Sequence, residues 1–184
     1  MSKFCGIDEA GRGPIAGDLV VAGCIFTDAK IEGLDDSKKI SEKKRYKLYG
    51  EILPNTLNHI VVISPSEIDE KGLSKCMTKA LEEIKSVLNA DEYLFDGNTT
   101  FGVKGLETMV KADGKIAEVS AASILAKVVH DLNIIRDSKI YPEYSFEKHK
   151  GYGTKLHVEM IKKHGYSPIH RKSFKLKALE KTLL

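Results

Sequence analysis

Residues 6–14 read G-I-D-E-A-G-R-G-P, and they lead from the end of an apolar segment at residues 3–8 towards another at residues 18–27. The first segment carries Phe4, Cys5 and Ile7, and the second is rich in apolar and β-branched residues, which predicts two strands. Gly11 and Gly13 supply the turn between them, because glycine adopts backbone conformations that other residues avoid. The stretch therefore predicts a fold that begins with a β-hairpin.

The polar side chains of this stretch are two adjacent acids and an arginine between two glycines. Neighbouring side chains of a strand point to opposite faces, so Asp8 and Glu9 can share one ion only where the strand ends. Exposed glycine N–H groups and the planar fork of Arg12 suit phosphate or sugar oxygens. Two readings stay open at this point, a metal site on a phosphate backbone and a polar turn between two strands.

The rest of the chain alternates between strand and helix patterns. Three further segments have strand character, and four have apolar residues at helical spacing. The small residues of the third helix, which Ser120 is expected to open, would let it pack close to a sheet. Alternation after an opening hairpin predicts an α/β fold with a mixed sheet covered by helices. The predicted strands are residues 57–63, 92–95 and 106–110, and the predicted helices are residues 41–53, 73–88, 119–137 and 154–164, the last ended by Gly165.

Length and composition bound the class of protein. A chain of 184 residues, 42% hydrophobic and 30% charged, predicts a single ordered domain. Cys5, Cys24 and Cys76 are odd in number and show no metal-binding spacing, so we expect buried thiols in a reducing compartment. The sequence shows neither a leader-like segment nor a long apolar run, and the expected location is the cytoplasm.

Charge is distributed unevenly along the chain. Residues 139–184 carry 11 Lys or Arg against 4 Asp or Glu, whereas residues 1–138 carry 18 against 22. Such a split would let an acidic cleft hold cations while a basic rim gathers a polyanion. A solvated basic surface helix explains the charge equally well.

Four acids lie at the predicted ends of elements that are far apart in sequence. Asp96 and Asp113 could each be an ordinary turn residue, and Asp131 could pair with a lysine one helical turn away. Together with Asp8 and Glu9, however, Asp96 and Asp113 have the spacing of a site assembled across strands. Clustered carboxylates favour Mg²⁺ or Mn²⁺, and two such ions can activate a water and stabilise the leaving oxygen of a phosphodiester.

Six motifs occur in order along the chain, and together they resemble the type 2 ribonucleases H, specifically bacterial ribonuclease HII. Six ordered motifs over nearly the whole length make the resemblance specific. The motifs are G-I-D-E-A-G-R-G-P-I-A-G at residues 6–17, D-S-K-K-I-S at 36–41, F-D-G-N at 95–98, K-A-D at 111–113, V-S-A-A-S-I-L-A-K-V at 119–128, and H-K-G-Y-G-T with S-P-I-H-R-K-S-F at 149–174.

The resemblance implies a ribonuclease H-like fold, with a mixed five-stranded sheet flanked by helices. It implies that the basic, helical residues 139–184 form one wall of a substrate groove. The implied activity is metal-dependent endonucleolytic cleavage of RNA in RNA–DNA hybrids, and incision 5′ of single ribonucleotides in duplex DNA by two Mg²⁺ or Mn²⁺ ions. Those nucleic acids are the expected partners, no membrane is expected, and a monomer is the default.

The resemblance also assigns roles to residues. It makes Asp8, Glu9 and Asp96 metal ligands and Asp113 the fourth catalytic, metal-binding carboxylate, with Asp131 as the alternative for that place. The implied substrate-binding residues are Gly11, Arg12 and Gly13, which read the ribonucleotide, Tyr152, which stacks on the following sugar, and Lys38 and Lys39, which hold a phosphate or are solvated loop charges.

Arg12 favours this type over ribonuclease HIII, which usually has lysine at the matching position. Two other classes stay open. An exonuclease of related fold would share the metal chemistry without explaining Arg12 or Tyr152. A non-enzymatic hybrid-binding module would use the acids only structurally.

Overall fold

A computed structural model of the protein describes residues 2–27, 31–35, 37 and 39–175. Its centre is a five-stranded mixed sheet with the strand order β3-β2-β1-β4-β5. β1 and β2 form the predicted antiparallel hairpin, β2 pairs antiparallel with β3, and β1, β4 and β5 run parallel. The strands are β1 Phe4–Ala10, β2 Leu19–Phe26, β3 Thr56–Ile63, β4 Glu92–Asp96 and β5 Glu107–Met109.

Helices cover both faces of the sheet and continue beyond it. The described helices are α1 Glu42–Asn55, α2 Pro65–Lys71, α3 Leu73–Val87, α4 Ala117–Ile140, a 3-10 turn Pro142–Tyr144, α5 Phe146–His149 and α6 Lys155–His164. In the part of the chain that the structure describes, no helix is both long enough and apolar enough to cross a membrane. The expected α/β architecture with a mixed five-stranded sheet is confirmed.

The alternation of side chains along the strands divides the core into two halves. On one face, residues such as Ile7 and Val21 pack with the buried side chains of α2 and α3. On the other face, Val20 and Ala22 pack with α1 and α4. Because side chains alternate, Asp8 points towards the α4 face of the sheet.

The central strand and α4 approach each other very closely. A Cβ atom at Gly6 would lie 2.3 Å from the backbone nitrogen of Val119, so only glycine fits at this crossing. Ala121, Ala122 and Ala126 are fully buried against the sheet. This close packing fixes the position of α4 relative to the end of β1.

Some predicted boundaries are wrong. β1 continues through Ala10 instead of ending at Asp8, because Glu9 and Ala10 pair with β2. α4 begins at Ala117, and the Ser120 hydroxyl donates to the Ile116 carbonyl oxygen at 3.0 Å instead of capping the helix. No helix is predicted over residues 65–71, yet α2 begins at Pro65 directly after β3, with the Ser64 hydroxyl accepting from the backbone N–H of Glu67.

Candidate active site

Three aspartates meet at one edge of the sheet. Each of Asp8, Asp96 and Asp113 offers a carboxylate oxygen, and these oxygens lie within 4.8 Å of one another. Ile7 on β1 is opposite Phe95 on the parallel strand β4, so the next residue of each strand is an aspartate and the two are neighbours. The structure thus brings together three of the four acids that the sequence marks out.

Burial makes the charge of Asp8 costly. The residue is 8% exposed, and it accepts a hydrogen bond of 2.7 Å from the backbone N–H of Glu9. Burial first, and then the negative charge of Glu9, raise the pKa of Asp8 well above its usual value. A cation at this point would remove that penalty, because it favours the ionised carboxylate.

Backbone hydrogen bonds hold the other two aspartates. The N–H groups of Lys111 and Asp113 donate to the two carboxylate oxygens of Asp96, at 2.9 Å and 3.2 Å. The Ser120 hydroxyl in the first turn of α4 donates to the Asp113 carbonyl oxygen. The turn after β5 is therefore attached to both β4 and α4, and this attachment positions Asp113.

The three aspartates line an acidic cleft of about 460 Å³. Glu9 lines it too, and lysine side chains stand around it, at positions 39, 111 and 115. Lys39 lies 3.9 Å from Asp35 and its side chain is 64% exposed, so it can turn towards a bound anion. Lys38, the other lysine expected to hold a phosphate, lies outside the described residues.

Glu9 is not a member of the three-aspartate cluster. Its side chain follows Asp8 on a strand that continues to Ala10, and it lies 3.6 Å from the Arg12 guanidinium. Glu9 lines both the acidic cleft and a neighbouring pocket. It is therefore the side chain that connects the two cavities.

The neighbouring cavity, here called the glycine pocket, has a volume of about 240 Å³ and brings together the four expected sugar-reading residues. A Cβ atom at Gly13 would lie 3.6 Å from the Tyr152 ring, so the loop and the ring are in close proximity. The Tyr152 side chain is accessible, at 46% exposure. The pocket is lined by Glu9, Ala10, Gly11, Arg12, Gly13, Ser37, Ser123, Lys127 and Tyr152.

Gly11 is required by its surroundings as well as by its backbone. Its φ is +85°, and a Cβ atom there would lie 2.4 Å from the Asp18 carbonyl oxygen and 2.5 Å from the His130 ring. Arg12 then extends over the Phe101 ring, with 5.3 Å between the guanidinium carbon and the ring centroid. The loop is therefore held in one conformation.

Asp131, the alternative fourth acid, has cationic and histidine neighbours. It accepts from Lys127 at 2.8 Å and from His130 at 3.0 Å, and Arg45 lies 3.7 Å away. Burial pushes the pKa of Asp131 up, but the hydrogen bonds from His130 and Lys127 lower it overall. The predicted ion pair with Lys127 is present, and Asp131 lies outside the cluster of three aspartates.

Sequence reasoning did not place Ser123 and Lys127 in a site. Both line the glycine pocket, and the Ser123 hydroxyl lies 2.8 Å from that of Ser37. Their spacing of four residues on one helix is the signal that could have grouped them. Lys111 and Lys115 beside the acidic cleft were missed as well.

The chemistry of the acidic cleft fits a hard divalent cation. The cluster offers only carboxylate oxygens, which are the ligands that Mg²⁺ and Mn²⁺ prefer. Burial, and then the negative charge of Glu9, raise the pKa of Asp8, and a bound cation would offset both effects. Asp8, Asp96 and Asp113 are the residues that would hold it, with Glu9 within the same cleft.

Comparisons with known proteins point to one family. The sequence model described as Ribonuclease HII matches residues 5–177. The chain is 56% identical over 181 residues to the ribonuclease HII of Sulfurovum sp. (strain NBC37-1), covering 98% of this chain and 96% of that protein. It is 55% identical over 181 residues to that of Aliarcobacter butzleri (strain RM4018), covering 97% and 94%.

Solved structures agree with this match. The ribonuclease HII of Archaeoglobus fulgidus, solved in a complex with PCNA, superimposes with a TM-score of 0.81 at 27% identity, covering 95% of this chain and 96% of that chain. The ribonuclease H2 of Pyrococcus horikoshii OT3 superimposes with a TM-score of 0.76 at 28% identity, covering 97% and 96%.

Proposed function

Since the chain belongs to the ribonuclease HII family, we propose that it is a divalent-metal-dependent endonuclease acting on RNA–DNA hybrids and on single ribonucleotides in duplex DNA. The observation that carries this proposal is the contact between the two cavities. In this proposal the acidic cleft would cut a phosphodiester, and the glycine pocket beside it would recognise a sugar. Glu9 lines both, so recognition and cleavage would act on adjacent nucleotides.

Asp8, Glu9, Asp96 and Asp113 are the proposed catalytic, metal-binding residues. Two divalent ions bound there would supply an activated water and would stabilise the leaving 3′ oxygen. Asp8 and Asp96 are fixed by neighbouring strands and Asp113 by the turn after β5, so the carboxylates need little rearrangement before binding. This preorganisation supports catalysis, because misplacement of reacting groups is costly.

Recognition is assigned to the glycine pocket. A 2′-hydroxyl is the group that distinguishes a ribonucleotide from its DNA neighbours. Gly11, Arg12 and Gly13 would present backbone groups and a guanidinium to that sugar, and the exposed Tyr152 ring would stack on the next one. The close contact of Glu9 with Arg12 would hold the guanidinium beside the reacting phosphate.

We assign affinity for the nucleic-acid backbone to basic side chains that surround the two cavities. Lys39, Lys111 and Lys115 lie at the acidic cleft and Lys127 lies in the glycine pocket. We assign the basic segment that begins at residue 139 to one wall of the groove, within the same single domain, although its residues 176–184 lie outside the described part of the chain. We propose that the protein acts as a monomer.

A duplex with one embedded ribonucleotide tests the proposal. Incision should occur on its 5′ side, leave 3′-hydroxyl and 5′-phosphate ends, and require Mg²⁺ or Mn²⁺. Tyr152→Ala should lower the rate by roughly tenfold or more, an effect of the size found for one base–aromatic stacking contact. Cleavage of the matched all-DNA duplex at a similar rate would point instead to a nuclease that does not recognise the sugar.

A further inference from the structure

Arg171 is a buried arginine whose hydrogen bonds go to backbone carbonyls. It is 1% exposed, and within the described residues its guanidinium donates hydrogen bonds to carbonyl oxygens of the loop at residues 11–17, which lines the glycine pocket. The guanidinium donates to Gly17 at 3.0 Å and 2.8 Å, to Pro14 at 2.9 Å, to Gly11 at 2.6 Å and to Arg12 at 3.4 Å. One planar side chain thus holds both ends of this loop.

Backbone bonds attach the same loop to the same segment. The N–H of Gly17 donates to the Ile169 carbonyl at 2.9 Å, and the N–H of Arg171 donates to the Ile15 carbonyl at 2.8 Å. Ile15 also donates to the Gly151 carbonyl at 2.9 Å, next to Tyr152. Residues 167–171 and residues 11–17 therefore form one continuous hydrogen-bonded unit.

The residue before Arg171 connects to the other half of the pocket. His157 Nδ1 lies 2.9 Å from the Tyr152 carbonyl oxygen, which can only accept, so this nitrogen donates. In neutral His157 the other nitrogen, Nε2, is then an acceptor, and it lies 2.9 Å from His170 Nε2, which must donate. His170 Nδ1 is left to accept from the N–H and hydroxyl of Ser167, at 2.9 Å and 2.7 Å.

This chain of bonds has a single allowed direction, and both of its histidines are buried. His157 is 0% and His170 1% exposed. Burial lowers the pKa of each to about 4, so both are neutral near neutral pH. The relay from Ser167 through His170 and His157 to Tyr152 is therefore continuously satisfied, which makes it rigid.

We propose that residues 167–171, here called the clamp, are a positioning element that fixes the loop at residues 11–17 and the Tyr152 ring in position relative to each other. Arg171 fixes residues 11–17, and His170 fixes the backbone of Tyr152 through His157. This inference rests on the proposed function, in which residues 11–13 and Tyr152 recognise the ribonucleotide and the sugar that follows it. Neither Arg171 nor His170 would touch the substrate.

Two substitutions separate the clamp from general stability. Arg171→Lys keeps the charge but loses the fork that reaches several carbonyls, and Arg136→Lys is its exposed control. His170→Asn keeps an acceptor for Ser167 but loses the donor to His157. The control for it is His164→Asn, at an exposed histidine of α6.

A structural measurement decides the inference independently of activity. The chain contains no tryptophan, so Tyr152→Trp introduces a single fluorescent reporter. In that background His170→Asn should increase acrylamide quenching, and Arg171→Lys should accelerate amide hydrogen exchange in residues 11–17. Unchanged quenching and exchange in folded variants would overturn the clamp. If Arg171→Lys does not fold, the quenching of His170→Asn alone decides.

Cleavage activity then tests whether the clamp serves ribonucleotide recognition. The readout is the ratio of kcat/KM on an embedded ribonucleotide to kcat/KM on a uniform hybrid, because the folded fraction of enzyme cancels in it. In a uniform hybrid every nucleotide of the RNA strand carries a 2′-hydroxyl. Cleavage of that substrate should therefore be less sensitive to a displacement of residues 11–17 relative to Tyr152. The ratio should fall roughly tenfold in either clamp variant and stay unchanged in the controls. An unaltered ratio would contradict the clamp, whereas a wild-type protein that ignores the embedded ribonucleotide would contradict the proposed function instead.

Discussion

Mild acid should destabilise the protein through the two buried histidines of the relay. His157 and His170 have pKa values of about 4 in the folded protein, against an ordinary value of 6.5. The unfolded chain therefore binds protons first as the pH falls below about 6.5, and stability decreases as the pH falls from there towards about 4.

The two pKa values give the size of the effect. Between about pH 7 and about pH 5.5, each histidine contributes a loss of roughly 1 kcal/mol, or about 2 kcal/mol for the pair. The raised pKa of Asp8 acts in the opposite direction, because the folded state then binds the extra proton. Asp8→Asn is therefore the appropriate background for the measurement.

Urea unfolding at the two pH values measures this loss. His170→Asn should remove roughly 1 kcal/mol of the pH-dependent loss, since one of the two relay histidines is gone. His149, whose pKa is also lowered by burial, contributes equally in the parent and the variant. His164→Asn, on the exposed side of α6, should leave it unchanged. A free energy of unfolding that stays constant or increases on acidification would refute the reasoning.

Two further predictions concern the loop and the basic surface. Gly72 has a φ of +82° and open space around it, so Gly72→Ala should lower the free energy of unfolding only by the backbone penalty of roughly 1–3 kcal/mol. Gly11→Ala should lower it by roughly 1–3 kcal/mol more, because the added Cβ would meet Asp18 and His130. Equal losses of unfolding free energy would mean that the loop relaxes freely. Hybrid affinity should fall linearly with the logarithm of salt concentration, with a slope of about −0.9 per phosphate contact. A flat response would place the basic residues 139–184 away from the substrate.

Much of the fold follows from local pattern. The hairpin is predicted because two β-branched segments flank a glycine turn, and α1 begins at Glu42 with Ser41 as its N-cap, as expected from its sequence. The end of β1 is not predictable in this way. Whether Glu9 lies in the strand depends on pairing with β2, and local composition does not determine that pairing.

The acids at the strand ends were predictable as candidates, but their grouping was not. It depends on the parallel pairing of β1 with β4, which brings Asp8 beside Asp96 across a long sequence separation. Buried polar residues are harder still. In the sequence, Arg171 and His170 look like ordinary basic surface residues. The tertiary structure alone shows which carbonyl oxygens and which ring nitrogen form their hydrogen bonds.

The carboxylate cluster is tested most directly by cleavage of a duplex containing one ribonucleotide, with saturating Mg²⁺ or Mn²⁺, by Asp8→Asn. The matched control is Asp131→Asn, which removes a buried acid outside the cluster. The account predicts near-complete loss of cleavage in Asp8→Asn with substrate binding largely retained, and metal-dependent cleavage preserved in Asp131→Asn. Metal-dependent cleavage by Asp8→Asn at the wild-type rate would contradict it.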